Sequence, residues 1–246
     1  AEHKIFRLGD IVDYPEDQLF EKIERAGFKV GAVSPMNASN KLKSPAYFIP
    51  DPWTLPPSDG SFFSKSLHEA ISQAVNDNSQ SKLTLKSIFS LSLSFLCLVK
   101  TSRLIPIMKF AISSRGRPWR KALFLDMFLF EVHQTFFKRK KPNFSTLFLN
   151  AGAHIQHHYF FNSMFVASGK LKNPDWYIED KEDPFKEMLE VYDGILKDYF
   201  TYSENIIIAT GLTQSIVKKP HYYYRLINHN IFLQNLDINF LSIEPR

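Results

Sequence analysis

Three histidines, His154, His157 and His158, fall within five residues of one another, beside Asn150 and Gln156. Neutral imidazole is a ligand for zinc and similar ions, and the amide oxygen of Asn150 could complete or orient such a site. If the segment is helical, the pairs 150/154 and 154/158 are four residues apart and project from one face, the spacing at which two side chains share an ion. A second reading stays open. The aromatic neighbours Tyr159, Phe160 and Phe161 would make this a packed segment whose histidines are hydrogen-bonded core residues.

Other histidines carry weaker signals. His221, after Lys218-Lys219-Pro220, is the likeliest distant metal partner by residue type, with His229 behind it, although a lone histidine is more often structural. His68 and His133 read as helix-surface or core positions. The chain has no phosphate-binding glycine loop and no Gly-x-Ser-x-Gly elbow. Tyr222-Tyr223-Tyr224-Arg225 reads as aromatic packing beside a strand rather than as a base-stacking platform, so nucleic acid is not favoured.

The elements that would position the cluster are legible around it. Phe144 to Leu149 reads as a strand that runs directly into Asn150, so the histidines begin at a strand's carboxyl end. Asp183 as N-cap and Pro184 at the first position open a helix to Phe200, with Phe185, Met188, Tyr192, Ile195 and Tyr199 on one face. Asn205 to Ala209 is a β-branched run closed by Gly211, the pattern of a buried parallel strand. If that strand neighbours 144–149, Thr210 and Gln214 lie near the histidines as substrate contacts, because open α/β sheets gather ligands at their carboxyl edge.

Upstream, Glu16 to Ala26 predicts a helix stopped by Gly27, followed by a strand over 28–33. Five prolines between Ser44 and Gly60 place that segment outside the sheet as a surface excursion. Phe62 to Val75 and Leu83 to Val99 read as helices, the second despite serines alternating with Leu91, Leu93 and Phe95. Pro118 precedes a largely buried helix over Trp119 to Lys138, whose end carries the basic run Lys138-Arg139-Lys140-Lys141 as a solvated cap. Without internal repeat or linker, the expectation is one α/β domain over 1–246: a mostly parallel sheet with helices on both faces, a Pro-rich excursion at 44–60 and a helical insertion at about 62–141.

Composition agrees with that class. Of 246 residues, 44% are hydrophobic and 22% charged, well away from a disordered chain. The net charge of +5 reads as a small excess of 30 basic over 25 acidic residues spread along the chain. Cys97 is the single cysteine and sits in an apolar stretch, which predicts a buried, inert thiol and a reducing, cytoplasmic setting. The longest apolar stretch, Ile88 to Val99, is too short and too serine-rich to span a bilayer. The N-terminus shows no secretory signal. The chain opens without methionine and ends just after a strand-like run, so a longer parent, incomplete here at its termini, is expected.

The order of these pieces resembles the alkaline phosphatase superfamily, in its branch of phosphodiesterases, nucleotide pyrophosphatases and related phosphohydrolases. Glu2-His3-Lys4-Ile5 is similar to the family's Pro-x-x-His-Gly-Ile stretch, and Ala26-Gly27-Phe28-Lys29-Val30-Gly31 to its Ala-Gly-x-x-Val-Gly phrase. Asn150-Ala151-Gly152-Ala153-His154 occupies the place of an Asp-x-x-x-His metal motif. Val191-Tyr192-Asp193 and Ile206-Ile207-Ile208 look like the helix and strand before the Ser-Asp-His-Gly motif, here replaced by Thr210-Gly211-Leu212-Thr213.

The resemblance implies a metal-assisted phosphoric or sulfuric ester hydrolase acting on a small anionic ester, with a divalent metal, zinc by ligand type, at His154, His158, His157, Asn150 and His221. The departures imply that this chain by itself lacks turnover. The family's nucleophile and its preceding metal-binding Asp belong upstream of Ala1, Asn150 stands for an Asp, and the Asp-His pair near Thr210 is missing. The alternative is a non-catalytic binding or scaffold descendant of the same fold.

Overall fold

The computed structural model of the protein describes residues 16–54, 57–76, 83–167, 171–201, 205–210, 213–216, 226 and 228–238. In chain order these form α1 (Leu19–Arg25), β1 (Val30–Val33), β2 (Tyr47–Ile49), α2 (Phe62–Asn76), α3 (Leu85–Leu98), α4 (Thr101–Ile112), α5 (Trp119–Lys140), β3 (Phe144–Leu147), α6 (Ala151–Tyr159), α7 (Pro184–Tyr199) and α8 (His229–Gln234). The strands make one parallel sheet in the order β2-β1-β3, with Val30 opposite Phe144 and Val33 opposite both Ile49 and Leu147.

Alternation along the strands divides the apolar side chains between two faces. Val33, Tyr47 and Ile49 point into a core with Leu67 of α2, Phe95 and Leu98 of α3, and Phe128, Val132 and Phe136 of α5. Val30, Ala32 and Phe48 point the other way, onto Phe20 of α1 and Ala38. Helices therefore cover both faces, as a parallel sheet requires. Gly27, at φ 88°, supplies the left-handed residue that releases the chain from α1 into β1. Gly31 has a different task. A Cβ there would collide with the Tyr47 ring, which lies over β1 and carries its hydroxyl to Ser145 on β3 at 2.5 Å.

At 22 residues, α5 is the spine of the molecule. Its C-terminal half packs on the sheet through Phe128, Val132 and Phe136, while its N-terminal half packs through Trp119 and Leu123 on Ala151, Ile155 and Tyr159 of α6 and Met188 of α7. Basic residues Lys138, Arg139 and Lys140 fill its last turn, and Lys141 ends it at φ 47°. The α7 helix starts as the sequence predicts: the Asp183 carboxylate accepts from the backbone N–H of Lys186, with Pro184 at the first position.

Four expectations are overturned. The Pro-rich segment is not wholly outside the sheet, because Tyr47–Ile49 forms β2. Pro45 and Pro50 flank this edge strand and leave the donors between them intact. No strand forms at 205–209; Ile207 is 88% exposed and Ile208 63%, so the β-branched run does not join the β2-β1-β3 sheet. The strand-end argument that brought Thr210 and Gln214 to the histidines falls with it. Cys97 is exposed rather than buried, because only one side of α3 meets the core.

Candidate functional site

The histidine cluster is the body of α6. Asn150 is its N-cap residue, and the Asn150 carbonyl accepts from the His154 backbone N–H at 3.2 Å. One turn apart, the His154 and His158 rings face each other with centroids 4.6 Å apart and planes tilted by 49°. His157 projects from a neighbouring, exposed position. Ile155 and Tyr159 are buried against α5 and anchor the helix, so the pair is held on its outer flank.

A residue outside the cluster orients the pair. The Tyr177 hydroxyl meets His158 Nδ1 at 2.7 Å, and the two rings stack with centroids 6.4 Å apart. In the tautomer in which Nδ1–H donates to this hydroxyl, the ring is fixed and Nε2 keeps its lone pair for a ligand, the arrangement by which a second group orients a metal-binding histidine. Among the described residues no hydrogen bond reaches the His154 ring nitrogens. Burial, followed by the neighbouring imidazoles His158 and His157, holds the His154 pKa below the usual 6.5, and burial with His157 does the same for His158. Both rings are therefore neutral at neutral pH, the form that binds a metal. Tyr177 also lines a cleft of about 380 Å³, with Arg115, Arg117, Trp119, Trp176 and Glu182 on its walls.

The start of α6 has the opposite character. Asp126, in the middle of apolar α5, accepts from the backbone N–H groups of Asn150 (3.2 Å) and Ala151 (2.9 Å) and from the Tyr192 hydroxyl (2.7 Å). Tyr192 in turn accepts from the Gly152 N–H at 2.8 Å. Three of the four unpaired donors that open a helix are thus satisfied from within the protein. Burial raises the Asp126 pKa from 3.8 to about 6, against the lowering effect of those hydrogen bonds. A strand-to-helix turn of this kind ordinarily receives a ligand's anion; here a protein carboxylate takes that place.

Of the sequence-predicted residues, the structure brings His154 and His158 together, sets Asn150 at the head of their helix, and leaves His157 to the side. Thr210 is exposed and Gln214 half-buried outside any element, and His221 lies outside the described residues, as does the Glu2–Ile5 stretch. His229 opens α8. No cluster of three or more His, Cys, Asp or Glu side chains fit to hold a metal occurs among the described residues. The described residues thus bring together two imidazoles where a tight zinc site needs three or four protein ligands, and no two-metal arrangement is assembled among them.

Sequence reasoning missed Tyr177, Asp126 and Tyr192. Asp126 had a signal of its own, a lone carboxylate between Leu125 and Met127; Tyr177 had none, being 19 residues from its partner. No protein-family model, curated protein or solved structure matches the chain.

Proposed function

We propose that this chain is the metal-binding layer of a hydrolase-type α/β domain with the alkaline-phosphatase-like fold, which binds zinc or a similar divalent ion through His154 and His158 and does not itself turn over an ester. The observation that carries this reading is the pair of neutral imidazoles 4.6 Å apart, one of them oriented by Tyr177, just beyond the carboxyl end of β3. Ligated there, the ion would act as a Lewis acid toward the oxygens of a phosphate or sulfate ester.

Zinc titration by calorimetry tests it. One weak site is expected, and His154→Ala should lower its affinity at least about tenfold, since one imidazole alone is a poor ligand set. Unchanged affinity would reduce the pair to packing. Hydrolysis of an activated phosphodiester by the purified chain should stay at background with zinc present; turnover lost in His154→Ala would show that a nucleophile had been overlooked.

A second reading, the non-catalytic descendant, is favoured by one observation. Asp126 occupies the α6 N-terminus with its carboxylate, so an ester anion would meet like charge at the donors that should receive it. Zinc binding without any affinity for inorganic phosphate or sulfate would choose this reading over the first.

A further inference from the structure

The basic excess of the chain is not spread along it. Residues 83 to 125 contain eight Lys or Arg and no Asp or Glu, while the rest of the chain has 22 basic and 25 acidic residues. The whole positive balance belongs to α3, α4 and the start of α5. Four of these cations are already paired: Lys86 with Glu69, Arg103 with Glu131 and Asp198, Arg117 with Glu182, and Arg120 with Glu187. Lys100, Lys109, Arg115 and Lys121 are exposed and have no ion-pair partner among the described residues.

The same helices are apolar on two sides. On α3, Phe95 and Leu98 are buried in the core, with Leu91 packed against it, yet Leu85, Phe89 and Leu96, at helical spacing on the other side, are each about two-thirds or more exposed, with Ile88 beside them. On α4, Ile107 is buried and Leu104 half-buried, whereas Ile105, Met108 and Ile112 form an exposed stripe. A helix that is apolar all round belongs inside something, and here one side of each of two consecutive helices faces water. At 14 and 12 residues the helices reach about 21 and 18 Å, short of the roughly 30 Å of a bilayer's hydrocarbon.

We propose that the outer side of α3 and α4 is a docking surface for an anionic lipid bilayer, on which the helices lie with Leu85, Phe89, Leu96, Ile105 and Ile112 sunk to the acyl boundary and Lys100, Lys109, Arg115 and Lys121 meeting the headgroups. Charge decides the occupant. A segment of 43 residues without a carboxylate of its own, met at its edge by Glu69 of α2, complements a negative leaflet and disfavours a second copy of itself. The surface is carried by α3, α4 and the turn that follows rather than by α6, although Arg115 also lines the cleft beside Tyr177, and it does not depend on zinc.

Co-sedimentation of the full chain with phosphatidylcholine vesicles, with and without about 30 mol% phosphatidylserine, tests it. Partitioning should be at least about tenfold higher on the anionic vesicles and should collapse near 1 M salt. Phe89→Ser with Ile105→Ser should abolish it, and Lys100→Glu with Lys109→Glu should erase the lipid preference. Leu19→Ser, an equally exposed apolar site on α1, should change nothing. All the altered side chains are exposed, so unfolding midpoints should match the parent; the wild-type lipid and salt comparison stands even if a variant fails to fold. Equal partitioning on both vesicles, or none, overturns the proposal. So does a concentration-dependent dimer that Phe89→Ser with Ile105→Ser dissolves in the absence of lipid, which would make this side a self-association surface.

Discussion

His133 and the His154–His158 pair are both held neutral by burial, yet their hydrogen bonding puts them to opposite use. The His133 ring lies in the core on α5, with Nε2 2.6 Å from the Ser145 hydroxyl and Nδ1 2.8 Å from the Tyr199 hydroxyl. Tyr47 continues the line beyond Ser145, so four side chains from β2, β3, α5 and α7 share one chain of hydrogen bonds. Both ring nitrogens are consumed, and burial pushes the pKa down to about 3. On α6, by contrast, one nitrogen of His158 is held by Tyr177 and the pair keeps unspent lone pairs. A lowered histidine pKa in this protein therefore marks burial; the free lone pair marks the candidate site.

The comparison breaks most visibly at His133. Replacing it with Ala removes a buried ring and takes one hydrogen-bond partner each from the Ser145 and Tyr199 hydroxyls, so urea unfolding should show a loss of about 3 kcal/mol with zinc binding intact. A loss below about 1 kcal/mol would mean that the polar chain is not holding the sheet to α5 and α7.

Acid sharpens it next. In the fold His133 stays neutral down to about pH 3, while in the unfolded chain it takes a proton near 6.5, so its contribution is full above 6.5 and is lost as pH falls toward 3. Asp126 works the other way. Its folded pKa is raised from 3.8 to about 6, so its contribution is present below 3.8 and lost as pH rises through 6. Between 3.8 and 6 these two slopes oppose each other, while the lowered pKa values of His154 and His158 add to the histidine side. Asp126→Asn should uncover the histidine slope, a loss of about 1.4 kcal/mol per pH unit on acidification through that window, read from urea midpoints. A variant no steeper than the parent would refute the opposition of the Asp126 and His133 slopes.

Tyr177→Phe should weaken zinc about tenfold, or about 1.4 kcal/mol, because it frees the His158 ring to turn, and it also takes a partner from the Tyr159 hydroxyl. The smallest expected effect is the stability change of His158→Ala in metal-free protein, within about 0.5 kcal/mol, since that ring is only partly covered. A larger loss would put His158 in the same class as His133.

Elements whose signals are local were readable from residue order: the Asp183-Pro184 start of α7, the Gly27 stop before β1, the cationic end of α5, and the four-residue spacing of His154 and His158. Elements that depend on what lies opposite were not. Tyr47–Ile49 is a strand because β1 offers it an edge, a fact that the surrounding prolines conceal. The Ile206-Ile207-Ile208 run has the composition of a buried strand, yet Ile207 and Ile208 stay exposed and pair with no strand among the described residues. The same divide crosses the site: the helix spacing of the pair is written in five residues, while Tyr177 and Asp126 reach it only through the packing of other elements.

The Tyr47 ring lying across Gly31 has a consequence for how this sequence can drift. Any side chain at position 31 must evict the ring, and eviction also unhooks Ser145, so a substitution at 31 is tolerable only where 47 has already become small. The two positions form one heritable unit with a fixed order of change, and among descendants of this chain a residue larger than glycine at 31 should be found only with a non-aromatic residue at 47.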